Sequence, residues 1–387
     1  MKILTVLTYY RPHTSGLTIY VERLAKSLVK LGHEVTVLTS QYEKDLPREE
    51  VVDGVRIIRA PVLFRVSKGV IMPTFGWLAW KLVSSHDVIH LHLPQFDAAG
   101  VALRGKILGK PTLITYHCDL LLPRSMVNRL INYVVHLMNH LAGILADRVC
   151  AYTEDFASHS PYLLRYADKL EVIYPPVVMP NVSDQEVVEF RERVNPENYS
   201  PVIGMATRFA SEKGVEILLN ALPGVLSVFP DTKVLYAGQY QDVMGETAYF
   251  QRLLPRIRTY QEKGRWKFLG VLDQEEMAQF YSCLDVLVIP SLNSTETFGL
   301  VQIEAMIRGT PSIASNLPGV RVPPRLTGMG EVVPIGDSRA LAEAILKVVS
   351  KPEKYHRPGQ EIADLFDPLA NAAAYQALYT RMLEGFS

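Results

Sequence analysis

The sequence predicts an α/β fold made of two doubly wound parallel-sheet domains. Short β-rich runs alternate with amphipathic helical stretches, a proline-rich segment at 174–180 interrupts that alternation, and the pattern restarts beyond it. In the first half, strands are expected at 2–8, 34–39, 55–59, 88–93, 112–116, 148–152 and 170–173. Between the first two, Val21, Leu24, Leu28 and Leu31 recur at helical spacing, which predicts a helix over 19–31 stopped by Gly32. Tyr174-Pro175-Pro176-Val177-Val178-Met179-Pro180 cannot continue a helix, because proline lacks the amide hydrogen and crowds the preceding turn. It reads as a linker and sets domains at 1–176 and 177–367. Strands resume at 202–207, 232–237, 267–269, 286–289 and 311–314, with helices after the first four. The stretch 368–387, with Leu369, Ala372, Leu378, Tyr379 and Leu383, reads as a helix packed back on the body. Two such sheets facing across a linker make a cleft, and ligands of open α/β sheets bind beyond the carboxyl ends of the strands.

Composition excludes several classes of function. In 387 residues, 40 Lys and Arg balance 40 Asp and Glu, so no basic excess is available to grip nucleic acid. With 48% hydrophobic and 21% charged residues, the chain is globular rather than disordered. Cys118, Cys150 and Cys283 form no CxxC, which argues against a disulfide framework or thiolate metal site and fits a reducing, cytoplasmic compartment. The apolar run before Arg11 and Pro12 is too short for a secretory signal. No run reaches the ~18 apolar residues that a bilayer span requires.

The densest chemical signal is 290–306, which follows the strand 286–289. A strand end turning into a helix is expected to leave the amides of Phe298, Gly299 and Leu300 outside the helix's own hydrogen bonding, so that with the helix dipole they would make an anion site. Gly299 admits a ligand close to the backbone. Glu296 is placed to accept hydrogen bonds from sugar hydroxyls, and Glu304, two turns on, to reach a ribose diol. The spacing alone also suits a helix whose first acid offsets the dipole and whose second is solvated.

A second cluster, 208–214, follows the strand 202–207. Arg208 at the strand end and Lys213 at the next helix start suit a diphosphate, one as a bidentate fork and the other as a point charge. Thr14-Ser15-Gly16-Leu17-Thr18 lies between the first strand and helix, where its amides make an anion cradle or Gly16 merely eases a turn. It is no GxGxxG, so a nicotinamide-dependent dehydrogenase is disfavoured. His117 ends the strand 112–116, where an imidazole can donate to a sugar hydroxyl or steady developing charge. His90 with His92, and His136 with His140, have metal-like spacing but no neighbouring HExxH glutamate and no third ligand, so no metal is expected. There is no Asp-x-Asp to hold a divalent ion, which leaves protein donors to neutralise a diphosphate.

With these clusters in place, the chain resembles the retaining nucleotide-sugar glycosyltransferases of family 4, the group 1 glycosyltransferases, whose fold is GT-B. The likeness spans nearly the full length: 12–37 with Gly32-His33-Glu34-Val35, Tyr116-His117, Ala146-Asp147-Arg148-Val149, Tyr174-Pro175-Pro176 and 208–214. It is most specific from Phe268-Leu269-Gly270 through Glu304-Ala305-Met306, followed by Gly309-Thr310-Pro311 and Pro318-Gly319. The resemblance implies that Glu296 holds the donor sugar, the amides from Phe298 to Leu300 the sugar or distal phosphate, and Arg208 and Lys213 the diphosphate. It further implies Glu304 on the ribose, Gly16 on the phosphates from the opposite domain, His117 beside the sugar, and Gly270 and Val271 at the base edge. The implied activity moves a hexosyl group from a UDP- or GDP-sugar to a sugar, glycan or lipid acceptor, with no cofactor, metal or nucleic acid. A catalytically silent nucleotide-sugar-binding module is the alternative, but Glu296, Arg208 and Lys213 are all present.

Two departures stand out. Ser15 precedes Gly16 where the family often has adjacent glycines, and Val320-Arg321-Val322-Pro323-Pro324 follows Pro318-Gly319 where many members carry a glutamate.

For the acceptor side, 63–83 carries Phe64, Phe75, Trp77 and Trp80 with Arg65, Lys68 and Lys81 and no acid, which suits a membrane interface. The segment 120–141 mixes Leu, Ile, Val and Met with Arg124 and Arg129, and core packing accounts for either composition equally well. The expectation is a cytoplasmic protein with peripheral contact at the inner face of the cell membrane.

Overall fold

The computed structural model describes residues 1–66, 69–119 and 126–385, with side chains left aside at 126–128. Lys68 and Arg124 of the expected membrane-facing segments lie outside the described residues. The chain forms two compact units, Met1–Pro176 with Phe366–Ser387, and Val177–Leu365.

The first unit holds strands β1 (Lys2–Val6), β2 (Glu34–Gln41), β3 (Glu49–Val52), β4 (Val55–Pro61), β5 (Phe64–Val66), β6 (Gly69–Ile71), β7 (Val88–Leu93), β8 (Thr112–Tyr116), β9 (Arg148–Ala151) and β10 (Leu170–Val172). Eight of them form one sheet in the order β10-β9-β8-β7-β1-β2-β4-β3, and β5 and β6 pair as a separate hairpin. β7 and β8 are buried at every residue, which is why they read as continuous apolar runs rather than alternating ones. β3 is antiparallel to β4 and mostly exposed. Its Glu49-Glu50 start carries no apolar run, so the sequence reading missed it.

The helices of this unit are α1 (Gly16–Lys30), α2 (Phe75–Ser85), α3 (Ala98–Ile107), α4 (Met126–Leu145) and the short α5 (Glu154–Ala157). α1 starts three residues before the expected 19, because the Ser15 side chain caps it by accepting from the Thr18 amide at 3.2 Å. Gly16 is therefore the first helical residue rather than part of a preceding loop.

The second unit holds α6 (Asp184–Val194), β11 (Val202–Ala206), α7 (Val215–Leu226), β12 (Lys233–Ala237), α8 (Thr247–Gln261), β13 (Trp266–Gly270), α9 (Gln274–Ser282), β14 (Val286–Ile289), α10 (Leu300–Ile307), β15 (Ser312–Ser315), α11 (Val322–Thr327), β16 (Gly330–Val333), α12 (Ser338–Ser350) and α13 (Gly359–Leu365). Its six strands are all parallel, in the order β13-β12-β11-β14-β15-β16. β16 escaped the sequence reading because Gly330-Glu331-Val332-Val333 carries little apolar signal. Apolar side chains cover both faces: Met205, Leu218, Leu222, Val288 and Ile345 on one, and Leu235, Leu287, Ile289, Phe280 and Ala305 on the other. α14 (Pro368–Glu384) belongs to the first unit and packs there against α1.

Candidate functional site

In the second unit the chain runs outward from β11 to β12 and β13, then returns to β14 and proceeds the other way through β15 to β16. The loops leaving β11 and β14 diverge, and a crevice at their carboxyl ends is the geometric consequence. A hollow lies there, with Met205, Val288 and Val301 as apolar lining and Thr207, Lys213, Ser291 and Glu296 as polar groups. Lys213 Nζ donates to Glu296 Oε2 at 2.7 Å, with the two side chains only 14% and 22% exposed. The structure thus joins the key cation of one sequence cluster to the key acid of the other.

Backbone contacts fix this pairing. Gly214 adopts φ +70° at the start of α7, and a Cβ there would stand 2.0 Å from the Pro290 carbonyl oxygen. Only glycine allows the loop after β11 to press on the loop after β14. The Leu292 amide donates to the Glu212 carbonyl at 2.8 Å, a second tie between the same loops. Ser211 is held through its amide and hydroxyl by Glu246, a residue the sequence did not single out. Arg208 follows Thr207, but its guanidinium donates to the Glu212 carboxylate and its side chain is 41% exposed. Arg208 therefore sits at the rim, paired with Glu212 rather than with Glu296.

Gly299, at φ +74°, caps α10 and its carbonyl accepts from the Gln302 amide at 2.9 Å, while the Leu300 and Val301 amides ahead of it have no partner within the helix. The Phe298 ring is buried beneath this turn. Gln302 Nε2 donates to the carbonyls of Phe298 at 2.8 Å and Val320 at 2.9 Å, while Ser312 donates to Gln302 Oε1 at 2.8 Å. That fully buried amide ties the turn at Gly299 to β15 and to the loop after Pro318-Gly319. No short-range sequence signal marks it. Glu304 lies inside rather than in solvent and accepts from the Tyr281 hydroxyl at 2.9 Å. Gly270 ends β13 at φ +76°, its carbonyl accepting from the Gly238 amide at 2.6 Å, and Val271 beyond it is exposed.

Two candidates belong to the first unit. A Cβ on Gly16 would meet nothing within 4 Å, so its surroundings are open. His117, at the end of β8, is buried, and both ring nitrogens are engaged: Nε2 with His92 Nδ1 at 2.9 Å, Nδ1 with the Tyr152 hydroxyl. Burial pushes its imidazole down to about 3, so the ring is neutral near pH 7. His90 is bonded at both ring nitrogens, to Thr115 and Tyr379, and His140 Nδ1 bonds the Tyr166 hydroxyl. Among the described residues, no three His, Cys, Asp or Glu are grouped to hold a metal ion.

A larger hollow in the same unit is rimmed by Lys106, Asp147, Arg148, Asp168, Lys169 and Arg381. It lies at the amino end of β9. Lys169 there caps carbonyls at the end of α4, and Arg148 and Arg381 share Glu171. Asp147 accepts from the Thr112 amide at 2.8 Å, so four of the hollow's six charged groups are engaged within the protein, and it lies at the end of the strands opposite to where ligands of open α/β sheets bind.

Comparison with known proteins gives the same assignment for both units. A family model described as "Glycosyl transferases group 1" matches residues 187–364, and one described as "Glycosyl transferase 4-like domain" matches 15–176. A phosphatidyl-myo-inositol mannosyltransferase of Mycobacterium leprae is 26% identical, over 98% of this chain and 96% of its own. A 2-deoxystreptamine glucosyltransferase of Streptomyces kanamyceticus is 27% identical, over 94% of this chain and 98% of its own. Among solved structures, HepE of Anabaena in complex with UDP aligns with TM-score 0.77 at 20% identity, covering 98% of this chain and all of that one (100%). Two consecutive family models across both units, on two doubly wound sheets of this topology, establish that the chain belongs to the group 1 glycosyltransferases and has the GT-B fold.

Proposed function

We propose that the protein is a retaining, metal-independent hexosyltransferase that moves a sugar from a UDP- or GDP-linked donor to a hydroxyl of a lipid-linked or glycan acceptor. The observation that carries this reading is the Lys213–Glu296 pair in the hollow between β11 and β14. A donor entering there exchanges that pair: sugar hydroxyls donate to Glu296, and Lys213 turns to the diphosphate. Arg208, released from Glu212, adds a second cation. The amides from Phe298 to Leu300 meet the distal phosphate or sugar, Glu304 the ribose, and Gly270 with Val271 the base edge. Gly16 is assigned to the phosphates and His117 to the side of the sugar, on the family resemblance.

The acceptor oxygen attacks the anomeric carbon from the face the leaving group departs. The carbon–oxygen bond to phosphate breaks as the new glycosidic bond forms, and a donor phosphate oxygen takes the acceptor proton. Cations on the diphosphate favour this step because negative charge builds there.

For the acceptor, the M. leprae relative's name is that of an enzyme acting on a lipid. In this chain Leu63, Phe64, Trp77 and Trp80 are exposed, and α4 exposes Leu130, Tyr133, Leu137, Leu141 and Ile144 at helical spacing. Phe75, Ala79, Leu82 and Val83 instead face the core. Surface of that kind supports peripheral membrane contact, and no described helix is long and apolar enough to cross a bilayer.

The test is a nucleotide-sugar panel read first by thermal stabilisation and then by turnover. Stabilisation by one donor with transfer to acceptor supports the proposal. Stabilisation without transfer or donor hydrolysis favours the silent binding module, and an inverted product anomer overturns retention.

A further inference from the structure

Beneath the carboxyl ends of β7, β8 and β9, His117 sits in a buried polar cluster whose other members, His92 and Tyr152, have no donor role. His92 Nδ1 stands 2.9 Å from His117 Nε2, and the Tyr152 hydroxyl bonds His117 Nδ1. His92 Nε2, in contrast, is buried with no hydrogen-bond partner. One of the two histidines must donate in the bond between them, and that orphan decides which. If His92 accepted at Nδ1, its single proton would sit on Nε2 as a buried, unpaired N–H. If it donates from Nδ1, Nε2 keeps only a bare lone pair. An orphaned buried donor is the costlier and rarer arrangement. His92 is therefore the donor, His117 Nε2 the acceptor, and the His117 proton falls on Nδ1, where it donates to the Tyr152 oxygen.

We propose that His92 and Tyr152 are positioning residues for His117, fixing its neutral ring as the Nδ1–H tautomer. The surroundings hold both partners in place. The His90 ring lies 4.2 Å from that of His92, and His90 is itself pinned by Tyr379 at 2.8 Å and Thr115 at 2.7 Å. Tyr375 bonds Thr115 at 3.0 Å and Tyr20 at 2.6 Å, and the Tyr20 ring stands edge-on to His117 at 5.1 Å. Two tyrosines of α14 thus brace the cluster, and His117 keeps one orientation and no charge while charge develops on a neighbouring ligand.

The functional weight of this inference rests on placing His117 beside the donor sugar; the tautomer itself does not. Long-range proton–nitrogen correlation spectra of the ¹⁵N-histidine-labelled full-length chain, without ligand, read the tautomer directly, with His117→Gln supplying the assignment. The wild-type protein should carry the His117 proton on Nδ1, and a proton on Nε2 overturns the proposal. His92→Asp, which can only accept, should move that proton to Nε2, whereas His92→Asn, which keeps a donor near the Nδ1 position, should restore it. Tyr152→Phe should lower kcat about tenfold, one hydrogen bond's worth, with the donor KM unchanged. An unaltered kcat in that variant refutes the positioning role. If the wild-type chain transfers no sugar at all, the proposed function fails, while the spectra still decide the tautomer.

Discussion

Replacing Lys213 with methionine keeps the aliphatic stem and deletes the charge. At 2.7 Å and an effective dielectric of ~20, the attraction between Lys213 and Glu296 is about 6 kcal/mol gross. Desolvating two ions returns most of it, and Glu296 at 22% exposure can be rehydrated once its partner is gone. The expected loss of stability is therefore small, about 1 kcal/mol, or 2–4 °C in Tm for a unit of this size. Transfer should suffer far more. A cation aimed at the leaving diphosphate acts where charge develops, and removing one such group costs about 3–4 kcal/mol, roughly 10²–10³-fold in kcat. Thermal denaturation and initial-rate kinetics on the same preparation separate the two effects. A variant that melts within a few degrees of wild type yet keeps kcat within about threefold would refute the assignment of Lys213 to the diphosphate.

Gly214→Ala combines a positive φ with a Cβ 2.0 Å from the Pro290 carbonyl, so it should destabilise by about 2–3 kcal/mol in denaturant titration. Gly16→Ala meets no atom within 4 Å and should leave Tm level or slightly raised while raising the donor KM; unchanged kinetics would remove Gly16 from the donor site. Stability should also fall in acid. His90 and His117 are held to about 3 by burial, well below the ordinary histidine value of 6.5. The unfolded chain therefore binds more protons between pH 6.5 and 3, and stability is lost as pH drops through that window. The loss is at most about 2 kcal/mol per imidazole between pH 6.5 and 5. Equal denaturation midpoints at pH 7 and 5 would contradict neutral burial. Trp77→Ser with Trp80→Ser should weaken binding to anionic vesicles at least tenfold, since each buried aromatic is worth about 1.5–3 kcal/mol, and unaltered vesicle sedimentation would move the membrane contact elsewhere.

The alternation of strand and helix was legible because central parallel strands are buried on both faces and read as apolar runs, as in Val88–Leu93 and Val286–Ile289. The edge strands Glu49–Val52 and Gly330–Val333 were not, since an edge is only partly buried and carries mixed residues. The start of α1 was misplaced because the cap made by Ser15 depends on where its side chain turns, while periodicity reports only the buried stripe.

At the site, residue types at strand ends marked Lys213, Glu296, Glu304 and His117 as candidates. What they touch was beyond the sequence. Glu212 claims Arg208, Tyr281 draws Glu304 inward, and Gln302 ties the turn at Gly299 to residues that follow it in sequence. Pattern and composition alone determined the fold class and the two doubly wound sheets, because burial imposes periodicities that a chain cannot hide. Tertiary structure alone decided that Lys213 and Glu296, 83 residues apart, share one hydrogen bond, and that three histidines are buried and neutral. Pairing across a strand crossover and withdrawal from water are properties of distance, which spacing along the chain does not encode.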